Sequence, residues 1–182
     1  MRLITFVVGL SLLGLLLPTP LRAAEDPSQL LAEARGVTAV GAGFAIGDAV
    51  AGGIALSGFL QPMYLSEGST WAIFAGGSAE LVGRTVGGPM LMSGAGKSRR
   101  AVRLLGGTPD SPCPIVAATL LYSFGFAVRY AAGVGAVTDR RVGTGLSVAA
   151  SAMQGLSSAL YLTDARRHQG RAQALLRVGG TF

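Results

Sequence analysis

The sequence has few charged residues and lacks the residue sets that build common active sites. Only 13% of its 182 residues are charged, against about a quarter in a soluble globular domain. Cys113 and His168 are the single cysteine and the single histidine, which excludes an internal disulfide and a zinc site of the usual kind. No nucleophile–base–acid set and no paired carboxylates in a polar setting are evident. The sequence therefore predicts no enzyme, no cofactor and no metal site.

Apolar residues and glycine are abundant instead. Half of the chain is hydrophobic, and 28 residues are Gly, without the G-X-Y period of collagen. The formal charge is +6, but the basic residues stand at the ends of apolar segments. That placement suits lipid headgroups better than nucleic acid, which requires a basic face with base-reading side chains. We expect membrane lipid as a partner and no nucleic acid.

The first 24 residues have the layout of a secretory signal peptide. A basic start precedes an apolar run over residues 3–17, and Ala23 and Ala24 are small residues that suit a cleavage site. The alternative, which Arg22 beside that site favours, is an uncleaved first membrane helix. The layout predicts Sec-type export and a location in the inner membrane of a bacterial-type cell envelope.

Long apolar segments dominate the rest of the chain. Residues 25–36 predict a short amphipathic helix, because Asp26 can cap it and Pro27 suits its first position. Four apolar segments follow, at about residues 37–60, 70–95, 113–137 and 142–163. Each exceeds the roughly 20 residues that cross a bilayer. We predict an all-α fold: a four-helix transmembrane bundle of two Gly/Ala-rich hairpins, after a cleavable signal and before a basic tail, residues 164–182. The alternative is a soluble helical domain.

Small residues recur at every fourth position in the first two segments. Because lipid provides no hydrophobic force between helices, small side chains that permit close backbone approach are typical of membrane-helix contacts. The predicted packing positions are Gly41, Ala45, Ala49, Gly53, Ala79, Gly83 and Gly87. The spacing leaves open whether the partner helix belongs to the same chain, to a second copy or to another membrane protein.

Four charged residues interrupt the apolar segments: Asp48, Glu80, Arg84 and Arg129. A lone charge near the bilayer centre costs at least about 2.5–3.5 kcal/mol, which favours pairing. Glu80 and Arg84 are four residues apart and share one helix face, and we expect Asp48 to face Arg129 or to join the same cluster. One hypothesis is a neutral clamp that sets helix register; the alternative is an ion or solute path.

The stretch SGAGKS, residues 93–98, resembles half of a phosphate-binding loop. Leu91 stands where the motif G-x-x-x-x-G-K-[ST] requires its first Gly, and no β-strand precedes it. We interpret the stretch as the end of a membrane helix, followed by a short basic helix, and expect no nucleotide binding. The bases predicted to meet lipid headgroups are Lys97, Arg99, Arg100 and Arg103.

These patterns predict a small exported integral membrane protein with a structural or partner-binding role; the alternative is a small transporter or channel that uses the four intramembrane charges. The topology is left open. A cleaved signal and four spans would place the basic second loop and the basic tail outside the cell, whereas the positive-inside rule prefers them inside.

Overall fold

A computed structural model describes residues 25–60 and 67–179, and every regular element in these residues is an α-helix. The helices are α1 (Pro27–Leu60), α2 (Glu67–Leu104), α3 (Cys113–Thr138) and α4 (Arg140–Gly179). This part of the chain contains no strand and forms a helical bundle, so the predicted all-α class is confirmed. The predicted signal segment lies outside the described residues.

The helices pair as two antiparallel hairpins, α1–α2 and α3–α4. In the first, Gly41 lies against Leu91 and Gly76 lies against Ala55, which fixes the antiparallel register. α4 packs against both α1 and α2, whereas α3 packs on α4 and has little contact with α2. The second hairpin is therefore attached to the first mainly through α4.

The direction of α4 brings four chain segments to one end of the bundle. Ser151 lies beside Glu80 and Gln169 beside Ser98, so α4 runs parallel to α2. The start of α1, the end of α2, the loop of residues 105–112 and the end of α4 consequently meet. We call this end the cap. Its apolar core contains the residues Leu30, Leu31, Ala101, Val102, Leu105, Ala172, Leu175 and Leu176.

The structure differs from the predicted boundaries in three places. The predicted amphipathic helix continues into the first apolar segment, and Asp26 caps it by accepting a hydrogen bond from the Ser28 amide at 2.9 Å. α2 continues past residue 95 to Leu104, because Gly94 packs against Thr38 of α1 instead of ending the helix. α4 likewise includes the predicted tail, because the apolar side chains of that segment pack in the cap core.

Candidate functional site

Four charged side chains from three helices meet inside the bundle, and we call them the ionic network: Asp48, Glu80, Arg84 and Arg129. Arg84 Nε donates to Asp48 Oδ1 at 3.2 Å, and Arg84 Nη2 pairs with Glu80 Oε1. Arg129 pairs with the other oxygen of Glu80. The structure therefore brings together all four residues singled out in the sequence, and Asp48 joins the cluster through Arg84 instead of facing Arg129.

Glycines position the network by letting α1 and α2 approach closely. A Cβ on Gly52 would lie 3.3 Å from Glu80 Oε1, and a Cβ on Gly83 would lie 3.1 Å from Asp48 Cβ. The side chains of Glu80 and Arg84 are each 1% exposed. Two acids and two bases leave the network neutral, which is the condition under which buried charges are tolerated.

The buried face of α4 continues this polar environment along the bundle. Its buried polar residues recur at spacings of three, four or seven: Ser147, Gln154, Ser157, Tyr161, Asp164 and His168. Ser147 Oγ accepts a hydrogen bond from Arg129 at 2.9 Å, and Ser157 Oγ donates to the Ala118 carbonyl at 2.8 Å. These hydrogen bonds join α4 to α3 in addition to the apolar contacts around Ala118 and Tyr161.

Large apolar side chains are exposed on the outside of the same part of the bundle, and we call them the apolar belt. Its members are Val40, Ile46, Val50, Ile54, Leu60, Trp71, Phe74, Leu81, Val82, Val116, Leu120, Phe124, Tyr130, Val134, Val142, Val148 and Leu156. On α1 the belt runs over residues 40–60, about 30 Å at 1.5 Å per residue. Away from the two ends of the belt, the only charged side chains among the described residues are the four of the ionic network; at the end opposite the cap, Arg140 Nε donates to the Phe59 carbonyl at 2.5 Å.

Two of the helices are long and apolar enough to cross a membrane, α1 and the Cys113–Gly135 stretch of α3. Only 22% and 17% of the residues in their most apolar windows are buried. A core helix of a soluble protein would bury most of such a window. α4 is less hydropathic than these two helices because its buried face carries the polar residues. α2 is less hydropathic because it carries two charges of the network.

A second buried ion pair holds the cap. Arg99, 7% exposed, contacts Asp164 through two hydrogen bonds, Nε–Oδ2 at 2.9 Å and Nη2–Oδ1 at 2.5 Å. The bond to Asp164 raises the pKa of Arg99 above its ordinary value. Arg99 also donates to the backbone carbonyls of Asp110 and Ser111, at 2.9 and 2.7 Å. One guanidinium thus ties α2, α4 and the loop of residues 105–112 together.

The same loop is held to α4 by further charges. The Asp110 carboxylate pairs with Arg167 at 2.9 Å and with Arg171. Burial alone would raise the pKa of this carboxyl, but the two guanidinium groups outweigh it and hold the pKa below its ordinary value. The Asp110 amide donates to His168 Nε2 at 3.2 Å, and His168 is fully buried.

The predicted packing positions divide into two groups. Gly41, Gly83 and Gly87 are buried between α1 and α2, and Ala45 is partly buried. Ala49, Gly53 and Ala79 are exposed on the described part of the bundle. The reason is geometric. An α-helix has 3.6 residues per turn, so residues at every fourth position move gradually around the helix and off the contact face. The residues that stay on the contact face alternate between spacings of three and four. On α2 these buried positions are Gly76, Glu80, Gly83, Gly87, Leu91 and Gly94.

The predicted headgroup residues also divide. Arg99 was wrongly assigned, because it is buried in the ion pair with Asp164. Lys97 pairs with Glu33 at 2.7 Å, and Arg100 pairs with Glu25 at 2.9 Å. Both remain partly exposed, and Arg103 is exposed, so headgroup contact by these three stays a prediction.

Residues 93–98 do not form a phosphate-binding loop. They lie inside α2, where backbone amides donate to carbonyls four residues earlier and are not free to surround a phosphate. The Ser98 hydroxyl, which such a loop would direct at a metal ion, donates to the Gly94 carbonyl at 2.7 Å.

The sequence analysis missed the cap cluster and the polar face of α4. Asp164 and His168 stand four residues apart, as a helical pair would, but the predicted end of the helix near residue 163 separated them. The serines at positions 147 and 157 carry no charge, so only their helical spacing could have indicated a common face. The chain matches no protein-family model, no curated protein and no solved structure.

Proposed function

We propose that this chain is a small integral membrane protein in which all four helices span the bilayer, with a structural or partner-binding role. The single observation that supports this most is the arrangement around the ionic network: charges and hydroxyls inside, large apolar side chains outside. In water the opposite arrangement is stable, because exposed apolar area is unfavourable. In lipid an apolar exterior is favoured, and a polar interior is tolerated when its charges are paired and neutral overall.

The dimensions of the apolar belt support the same proposal. Its length on α1 is about 30 Å, which matches the hydrocarbon core of a bilayer. Trp71 and Phe74, in edge-to-face contact with ring centroids 6.4 Å apart, lie at the end of the belt opposite the cap. Trp is enriched at the membrane–water interface. The cap, with its own apolar core and ion pairs, extends into water.

Within this proposal the ionic network acts as a neutral clamp between helices. Arg84 joins α1 to α2, and Arg129 joins α3 to α2, where other contacts are sparse. The clamp adds directional contacts to the register that close packing at Gly41 and Gly76 already defines. A second copy or a partner helix would pack on the exposed small residues of α1, such as Gly43 and Gly47. No other described element comes within 4 Å of a Cβ at either position.

Trp71 is the single tryptophan of the chain and therefore reports its own environment. In vesicles that contain the purified chain, we expect brominated lipids labelled near the headgroup to quench Trp71 more than lipids labelled near the chain end. The matched control is Trp71→Phe with Phe124→Trp, which moves the indole to mid-belt and should reverse the order. A chain that stays folded and monomeric in detergent-free buffer, with Trp71 quenched by aqueous acrylamide, would refute the proposal.

The orientation follows from the charge at the two ends of the bundle. Among the described residues, the cap carries Arg35, Lys97, Arg99, Arg100, Arg103, Arg166, Arg167, Arg171 and Arg177, and the other end carries Arg140 and Arg141. The positive-inside rule therefore places the cap in the cytoplasm.

Cysteine labelling of intact cells tests this orientation. In a Cys113→Ser background, we expect an impermeant maleimide to label Glu67→Cys, at the end opposite the cap, and to spare Gln29→Cys in the cap. Labelling of Gln29→Cys with protection of Glu67→Cys would instead place the cap outside, as a cleaved export signal requires.

A small ion or solute transporter or channel is the second candidate. Three observations favour it: the polar face of α4 that reaches the ionic network, the partial exposure of Asp48 and Arg129 (12% and 16%), and Arg84 Nη1, which has no hydrogen-bond partner among the described residues. The variant Asp48→Asn separates the candidates in liposomes. A transporter loses flux while the protein stays stable, whereas a clamp loses stability and shows no flux to begin with.

A further inference from the structure

We propose that His168 is a proton-operated latch for the loop that joins the two hairpins. The inference does not depend on the proposed function. Its basis is the hydrogen bonding of the imidazole, which is fully buried at the interface between α4 and the loop of residues 105–112. Nδ1 lies 2.8 Å from the Asp164 carbonyl, and Nε2 lies 3.2 Å from the Asp110 amide nitrogen.

These two contacts specify one form of the ring. A carbonyl oxygen only accepts, so Nδ1 carries the hydrogen that is donated to Asp164; an amide N–H only donates, so Nε2 must be the unprotonated acceptor. The latch therefore requires neutral imidazole with the proton on Nδ1. Adding a proton at Nε2 places two N–H groups against each other, which removes the hydrogen bond and leaves the Asp110 amide unpaired.

The charges around His168 come from all the described elements that meet at the latch. On α4, the Asp164 carboxylate lies 3.5 Å from Nδ1, and Arg167 and Arg171 lie on the same helix. α2 contributes Arg99, and the loop contributes Asp110. Both carboxylates are already paired with guanidinium groups. A proton gained by His168 thus adds a positive charge next to three arginines, while its one new hydrogen faces the Asp110 amide.

Opening the latch would release the loop locally. The loop keeps its links through Arg99 and through the Asp110 carboxylate, whose lowered pKa leaves it ionised at neutral and mildly acidic pH. The expected change is therefore a loosened backbone at Asp110 that uncovers the face between α2 and α4 in the cap, rather than unfolding. His168 is the only histidine of the chain, so the effect of a proton on this loop can be assigned to one ring.

Amide hydrogen exchange of the purified full chain tests the latch. After correction for the intrinsic pH dependence of exchange, we expect protection of the Asp110 amide to fall about tenfold between pH 8 and pH 5, as for the loss of one buried hydrogen bond. The Ala34 amide, within α1, is the internal reference and should not change. The variant His168→Gln keeps an acceptor that does not titrate, so its protection should be independent of pH.

Nitrogen-15 NMR of the single imidazole gives the second readout, and it does not require the variant to fold. We expect the Nδ1–H tautomer at pH 8 and proton uptake at Nε2 in step with the loss of protection. Three results would each overturn the proposal. The first is constant protection of the Asp110 amide while the ring becomes charged, and the second is an equal fall in that protection in His168→Gln. The third is a ring that stays neutral down to pH 5.

Discussion

Replacing Arg84 with methionine is expected to lower the free energy of unfolding by about 3–5 kcal/mol, the usual cost of removing one partner from a buried ion pair. Arg84 is 2% exposed and bonds to both Asp48 and Glu80. The variant retains two carboxylates and one guanidinium, so the network acquires a net negative charge inside the bundle. The measurement is a denaturant titration of the detergent-solubilised chain, followed by circular dichroism.

The double variant Arg84→Met with Asp48→Asn distinguishes charge imbalance from lost packing. It leaves the pair of Glu80 and Arg129 intact, so the network is again neutral. We therefore expect the double variant to recover a substantial part of the lost free energy of unfolding, since neutral replacement of a whole buried pair is often tolerated. Equal instability of the single and the double variant would show that Arg84 stabilises the bundle through its shape and not through its charge.

The ionic network was predictable because its members are rare in their surroundings. A charged residue inside an apolar segment must find a partner, and Glu80 and Arg84 are separated by one helical turn. Sequence spacing could not specify which acid binds which base, because the choice between Arg84 and Arg129 for Asp48 depends on how α3 is placed. That placement is set by α4, whose uncharged hydroxyl and amide groups give a weaker signal.

The cap was not predictable for a related reason. Glycines at positions 94 and 96 indicate a helix end by propensity alone, but Gly94 packs against Thr38, where a side chain would keep the helices apart. Tertiary packing therefore overrides propensity and extends α2. Once α2 and α4 extend, Arg99 reaches Asp164 and becomes a buried link instead of a headgroup ligand.

The variant Gly76→Ala is expected to destabilise the bundle by about 1–3 kcal/mol, the usual cost of overpacking a close contact. A Cβ at Gly76 would lie 2.5 Å from the Ala55 nitrogen and 2.7 Å from the Ala51 carbonyl oxygen. Both atoms belong to the backbone of α1, so no side chain can rotate away and the two helices must separate. Separation also lengthens the contact between Asp48 and Arg84, which couples this glycine to the ionic network.

Gly53→Ala on the outward face of α1 is the matched control. In the described part of the chain, no atom beyond the adjacent turns of α1 lies within 4 Å of the added Cβ. Alanine favours helix over glycine by about 1 kcal/mol, so this variant should be neutral or slightly more stable. Denaturant titrations of the two variants under one condition give the comparison. A loss in Gly53→Ala comparable to that in Gly76→Ala would mean that a second helix, from another copy or a partner, packs at Gly53. If Gly76→Ala lost no stability, α1 and α2 would not be in backbone contact there. The explanation that this close approach positions the ionic network would then be wrong.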